Sequence, residues 1–280
     1  MSMRINHNIL SLTSRRHLNS TQNVMDQAVN RLSSGLRINQ AWEDPSGLAV
    51  SEKFRAQIAS MTEAERNANY AINLLSTAEG ALSVIDEKLI RMRALSIQAS
   101  NGTLTSTDRS YINTEFQQLK SEVTRIANVT NYNGLYLIDG TYSSGSGSSI
   151  KFHIGTYNVS NEDYYFVNIA SMTASALGLS ASTLTTTASA QSAIDLLDSA
   201  INTKDSQRTS IGSYVERLQN TILNLQISRE TATASESTIR DADMALEMST
   251  FVRSQILMQT GVAMLAQANQ LPMLVGNLIS

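Results

Sequence analysis

Apolar side chains recur in this chain at alternating steps of four and three residues, and that rhythm constrains the fold more than any other feature. It is clearest in Met61, Ala64, Ala68, Ala71, Leu75, Ala78, Leu82, Ile85, Leu89, Met92, Ser96 and Ala99, where only Ser96 is polar. Such spacing lays one stripe along a helix and requires a second helix to cover it. No proline interrupts the run, so a helix of about 40 residues would extend roughly 60 Å.

The rhythm returns elsewhere. Ile112, Phe116, Leu119, Val123 and Ile126 share one face of a second helix, which Ser106 or Thr107 would cap after the break at Asn101-Gly102. From about Ala190, Ile194, Leu197, Ile201, Ile211, Val215, Leu218, Ile222 and Leu225 repeat the series, with Lys204 and Arg208 in two seam positions. Near the start, Ile5 and Ile9 precede Leu18, Met25 and Leu32 at seven-residue steps. Between these helical regions the pattern changes. Asn133-Gly134 signals a turn, Leu135 to Ile138, Ile150 to Ile154 and Tyr164 to Ile169 read as short strands, and Ser143 to Ser149 as a loop.

The last segment opens at about Thr238 and ends in "QILMQTGVAMLAQANQLPMLVGNLIS", with no charged side chain after Arg253. Its amides, Gln255, Gln259, Gln267, Asn269, Gln270 and Asn277, argue against a membrane span. Leu257, Gly261, Met264, Ala268, Leu271, Val275 and Leu278 form the expected seam, and Pro272 is expected to bend or end the helix near Asn269. Uncharged flanks imply that more than one neighbour is touched. The expected fold is mainly α: a long antiparallel helical bundle with a small β-hairpin region, folded back so that its N- and C-terminal helices pair.

Composition narrows function by exclusion. A formal net charge of −3 offers no basic excess for nucleic acid or anionic lipid. The absence of cysteine removes disulfides and thiol chemistry and is compatible with export of an unfolded chain. The N-terminus lacks the apolar run and cleavage site of a secretory signal. His7, His17 and His153 lack metal-ligand spacing, and no nucleophile elbow or phosphate loop is present. Glu43-Asp44 and Asp241/Asp243 read as helix caps. No enzyme, cofactor or metal is expected. Arg91 and Arg93, beside Leu89, Met92 and Leu95, read either as a solvated face paired with acids such as Glu87 or as a binding surface.

Several motifs, in order, resemble bacterial flagellin: "INHNILSLTSRRHLN" (5–19), "RLSSGLRIN" (31–39), "RNANYAINLLSTAEGAL" (66–82), "LSIQASNGT" (95–103), "NYNGLYLIDG" (131–140) and "IRDADMALEMSTFVRSQILMQTGVAMLAQANQLPMLVGNLIS" (239–280). The resemblance implies a subunit exported unfolded by the flagellar type III apparatus and polymerised at a distal tip, with an export chaperone and a cap as partners. It implies an inner coiled-coil domain of residues 1–40 and 240–280, disordered in the monomer and ordered on assembly. A rod domain of residues 41–239 would form the surrounding tube and include a short variable region near 130–189. It also implies a surface of Arg91, Leu95 and Glu115, shared by subunit contacts and by a flagellin-sensing Toll-like receptor of a host; Ala94 stands where the family more usually has glutamate. The implied location is an extracellular filament, with a periplasmic flagellum as the alternative on "INHN" and "DPSGLAVSEK". A hook-filament junction protein or a secreted coiled-coil binding module are the rival functions.

Overall fold

The computed structural model describes residues 7–143 and 148–279, with side chains described as far as Gln270. In chain order the elements are α1 (Ile9–Ser34), α2 (Pro45–Ala99), α3 (Ser106–Val129), β1 (Asn131–Tyr132), β2 (Leu135–Tyr136), β3 (Ile150–His153), β4 (Tyr164–Val167), α4 (Thr187–Arg240) and α5 (Met244–Ile279). The fold is mainly α, with two small antiparallel hairpins, β1–β2 and β3–β4. The chain divides into two compact units, Met1–Ile58 with Glu230–Ser280, and Ala59–Arg229.

In the second unit every position of the series from Met61 to Ala99 is buried. Ser96, its polar member, returns its hydroxyl to the Met92 carbonyl at 2.9 Å and so enters the core satisfied. The helix itself begins earlier than the series, at Pro45, whose fixed φ suits a first turn. Asp44 caps it, accepting from the Gly47 N–H at 2.8 Å. That bond, with help from the Ser46 hydroxyl, holds the Asp44 carboxyl below the usual carboxylate range.

Ion pairs set the antiparallel course of α4 beside α2: Arg93–Asp198 at 2.6 Å, Lys204–Asp86 at 2.5 Å, Arg208–Glu79 at 2.5 Å and Arg229–Glu65 at 2.6 Å. Lys204 does occupy a core position, only 2% exposed. Its ammonium is neutralised by Asp86 and by Asp205 at 2.7 Å, which is how a charge enters a helical seam without remaining unpaired.

The cap of α3 is Thr105, one residue before the nearer of the two expected caps, Ser106 and Thr107. Thr105 accepts from the Asp108 N–H while Asp108 accepts from the Thr105 N–H, a complete capping box. Phe116, Val123 and Ala127 face inward. The Ser/Thr-rich stretch before α4 is held against this helix: Lys120 Nζ donates to the Ser180 carbonyl at 3.1 Å, Gln117 to the Ser182 carbonyl at 3.0 Å, and Asn113 accepts from the Leu184 N–H at 2.9 Å.

The strands are shorter than their apolar runs. The β1–β2 register ends at Tyr136; the Leu137 N–H still donates to the Thr130 carbonyl at 3.1 Å, but Leu137 and Ile138 are both buried, which consecutive residues of one pleat facing a single core cannot be. β3 and β4 pair from Ile150↔Val167 to His153↔Tyr164. Asp163 closes their loop, accepting from the Val159 N–H at 2.9 Å and the Tyr157 N–H at 3.0 Å, and those bonds hold its carboxyl below the usual range. Tyr165 stacks on Tyr214 with the Arg217 guanidinium 4.3 Å from its ring centre, and burial pushes its hydroxyl up to about 12.

Candidate assembly and recognition surfaces

The first unit is built around the pairing of the chain's two ends. α1 ends at Gly35, whose φ of 72° is the left-handed conformation that closes a helix and that glycine adopts without strain. The chain after it is tied to the α4–α5 connection. The Arg37 N–H donates to the Arg240 carbonyl at 2.6 Å, the Ala242 N–H to the Gly35 carbonyl at 3.0 Å, and the Arg37 guanidinium to the Ile239 carbonyl at 2.6 Å. Asp243 then caps α5 by accepting from the Ala245 and Leu246 N–H groups. Glu43 likewise accepts from the Asn39 N–H at 2.8 Å, so Glu43, Asp44 and Asp243 all bind backbone N–H groups at turns and helix starts, whereas the Asp241 carboxylate accepts from the Ser237 hydroxyl.

From that root α1 and α5 run antiparallel. Arg31 pairs with the buried Glu247 at 3.0 Å, Leu18 lies over Gly261, and the Asn8 amide donates to the Ala268 carbonyl at 2.8 Å. A Cβ on Gly261 would lie 3.0 Å from Leu18 Cδ1, so this glycine is what lets the helices approach. The less exposed positions of α5 are Glu247, Phe251, Ser254, Met258, Gly261, Leu265 and Ala268; those of α1 include Ser11, Leu18, Thr21, Met25, Ala28 and Leu32.

This corrects the phase of the expected seam. Gly261 and Ala268 belong to it, but Leu257 and Met264 do not: they are 50% and 61% exposed, and their neighbours Met258 and Leu265 take the inward places. The cause is that each site presents two consecutive apolar residues, so α5 alone does not fix which one turns inward. Ile9 is also exposed, whereas Leu18, Met25 and Leu32 are half-buried. Ile5 and the side chains of Leu271, Val275 and Leu278 lie outside the described residues. Helix continues through Pro272 to Ile279, so the proline does not end it.

The seam thus mixes large apolar side chains such as Phe251, Met258, Leu265, Leu18 and Met25 with the polar or small Glu247, Ser254, Gly261 and Ala268, while further large apolar side chains stay outside it. On α5 these are Met244, Leu246, Met248, Val252, Ile256, Leu257, Val262 and Met264, and on α1 Ile9, Leu10, Leu12, Val24 and Val29. Large apolar side chains left exposed in such number along two helices mark a site for further protein contact. No helix among the described residues is long and apolar enough to cross a membrane.

The second predicted surface is only partly brought together. Arg91 and Glu115 form an exposed ion pair at 2.7 Å between α2 and α3. Leu95 is not beside them on the surface; it is 2% exposed and packed in the core. Arg93 pairs with Asp198, which raises the pull of each on its proton state: hydrogen bonding lowers Asp198 and raises Arg93. Neither arginine uses Glu87. Among the described residues no cluster of His, Asp and Glu could hold a metal ion.

Comparison with known proteins decides the family. Residues 5–143 match the bacterial flagellin N-terminal helical region and residues 194–279 its C-terminal helical region. The chain belongs to the bacterial flagellin family. It is similar to flagellin FlaB2 of Treponema pallidum, 40% identical over 279 residues that cover 96% of each chain. It is similar also to flagellin of Halalkalibacterium halodurans, at 40% identity over 99% of this chain and all of that one. Flagellin of Bacillus subtilis is 42% identical over 96% of this chain and 97% of its own. This flagellin is thus a structural subunit of a flagellar filament, not an enzyme, and it acts in motility by polymerising with copies of itself.

Proposed function

We propose that the α1–α5 pair is the inner assembly interface of this flagellin and that the exposed stripe on α5 is what neighbouring subunits cover. The observation that supports it is that α5 keeps large apolar side chains, Leu257 and Met264 among them, exposed outside its seam with α1. Burying each such Leu or Met against a neighbour would contribute on the order of 1.5–3 kcal/mol. Repeated head-to-tail contacts that do not close give an open helical polymer. On this reading residues 1–40 and 240–280 form the inner layer and residues 41–239 the outer tube.

The terminal pair of a solitary subunit has a thin seam and is ordered by assembly. Export of the unfolded chain through the flagellar type III apparatus, with a chaperone covering the apolar end and a cap guiding it at the tip, fits a chain without cysteine whose apolar ends must stay unpaired until they arrive. The filament is placed outside the cell; electron micrographs showing it beneath the outer membrane would replace that with a periplasmic flagellum. Arg91 and Glu115 are proposed as a subunit contact that a Toll-like receptor also reads, whereas Leu95 would act there by supporting the helix from within.

Deletion of the last 25 residues tests the central reading. The truncated chain should keep the second unit folded, by circular dichroism, and fail to polymerise. Normal filaments from it would refute the role of the terminal pair. A defined small oligomer with protected ends, seen by sedimentation and hydrogen exchange, would favour a secreted binding module; a terminal pair that never becomes protected in long polymers would favour a junction protein.

A further inference from the structure

We infer that the outer edge of β3 is a docking site for a short extended peptide segment of a partner protein, one carrying an acidic side chain beside an apolar one. The argument begins with the ladder. Ile154 donates to the Asp163 carbonyl at 2.8 Å, and in the same register Phe152 faces Tyr165 and Ile150 faces Val167 as hydrogen-bonded pairs. Lys151 and His153 are the alternate residues, so their backbone groups turn away from β4. The His153 carbonyl is taken by the Asn67 amide at 3.1 Å. The Lys151 N–H and carbonyl and the His153 N–H form the edge that remains.

That edge opens on a cleft of about 320 Å³ between α2, the β1–β2 turn and β3. Its floor is Ala71, Leu74, Ile150 and Phe152; Tyr70, Tyr132 and Leu135 stand around it. Tyr70 and Leu135 are exposed. An edge strand beside an apolar cleft is the arrangement by which folded domains add a peptide as an extra strand, the backbone giving affinity and the cleft giving selectivity. Proteins usually guard such an edge with a lysine held across it. Here the Lys151 ammonium instead lies 3.5 Å from the centre of the Tyr164 ring and the His153 ring stacks on that same ring, so neither side chain lies across the edge.

Charge selects the occupant. The cleft contains Lys151 and His153 and no Asp or Glu, and the nearby Asp163 carboxylate is committed to the backbone N–H groups of its own loop. An incoming carboxylate therefore meets the Lys151 ammonium and, among the described residues lining the cleft, no competing acid.

The test uses the full chain as monomer and two acetylated hexapeptides, one alternating valine with glutamate and one alternating valine with lysine. Hydrogen exchange read over residues 150–154 should slow roughly tenfold with the glutamate peptide, as for an amide that gains a strand partner. The lysine peptide, and a glutamate peptide N-methylated on one edge, should leave exchange unchanged. Tyr70→Ala, an exposed helical position, and Lys151→Glu should each abolish the protection while circular dichroism stays that of the parent. Equal protection by the two peptides, or none at millimolar glutamate peptide, overturns the proposal. Protection by added unlabelled chain in the absence of peptide would also overturn it, by assigning the edge to a second copy.

Discussion

Replacing Gly261 tests the geometry of the terminal pair most directly, because two opposing effects can be weighed from one distance. A new Cβ would meet Leu18 Cδ1 at 3.0 Å, inside the 3.5–4.0 Å at which two carbons attract. The atom it meets is the end of a flexible side chain. Alanine therefore requires Leu18 to retreat by only a few tenths of an ångström, while glycine's removal from a helix gains up to about 1 kcal/mol. Gly261→Ala should be close to neutral. Gly261→Val adds two methyl groups in the same gap and recovers less helix propensity, so overpacking of about 1–3 kcal/mol prevails. Because about 1.4 kcal/mol is tenfold in an equilibrium, the net loss should raise the critical concentration for polymerisation by roughly fivefold to a hundredfold. Sedimentation of polymer grown from short seeds measures that concentration. Leu18→Ala combined with Gly261→Val should recover most of the loss, since contacting residues couple by about 0.5–3 kcal/mol. A valine variant with the parent's critical concentration, or a pair with no rescue, would refute the close approach of these helices.

Leu95→Ala should lower the stability of the second unit by about 2–5 kcal/mol in denaturant unfolding, as a cavity in a packed core does, whereas Arg91→Ala should change it by less than about 1 kcal/mol. Thr105→Ala should cost about 1 kcal/mol through loss of the α3 cap, read as a lower thermal midpoint. Acid should loosen the β3–β4 loop through Asp163. Its folded pKa is depressed, so its stabilising contribution is present in full above the ordinary value near 4 and is lost as pH falls through the lower folded value. Amide exchange at Tyr157 and Val159, corrected for intrinsic rate, should therefore be flat from neutrality to about pH 4 and rise below it; Asp163→Asn should show the rise at every pH.

The α2 seam was legible because its four-three series runs unbroken from Met61 to Ala99 with charges such as Glu79, Asp86, Glu87 and Lys88 beside it, and every position of that series is buried. α5 has no such flanks. Leu257-Met258 and Met264-Leu265 offer the seam twice, and only the partner's Leu18 and Met25 decide between them. Long-range partners were invisible for the same reason. Nothing near Lys204 in sequence announces Asp86, and Arg93 reaches Asp198 rather than the local Glu87. Leu95 shows the converse limit. A motif places it on a surface, but the helix turns it inward, one position from the exposed Ala94. Caps were read as a type and missed by one residue at α3, since Thr105, Ser106 and Thr107 all carry the hydroxyl that the role requires.

The tie between the Gly35–Arg37 backbone and the Ile239–Ala242 backbone has a mechanical meaning. Its hydrogen bonds cross from one connection to the other near the place where α1 and α5 begin their shared course. The pairing is antiparallel and both helices leave it from the same end, so splaying α1 from α5 loads the Ala242–Gly35 bond first and the Arg37–Arg240 bond only after it. Twist delivered to α5 reaches α1 at its root as well as along its length. The two ends of the chain are thus joined at their root as a single strut.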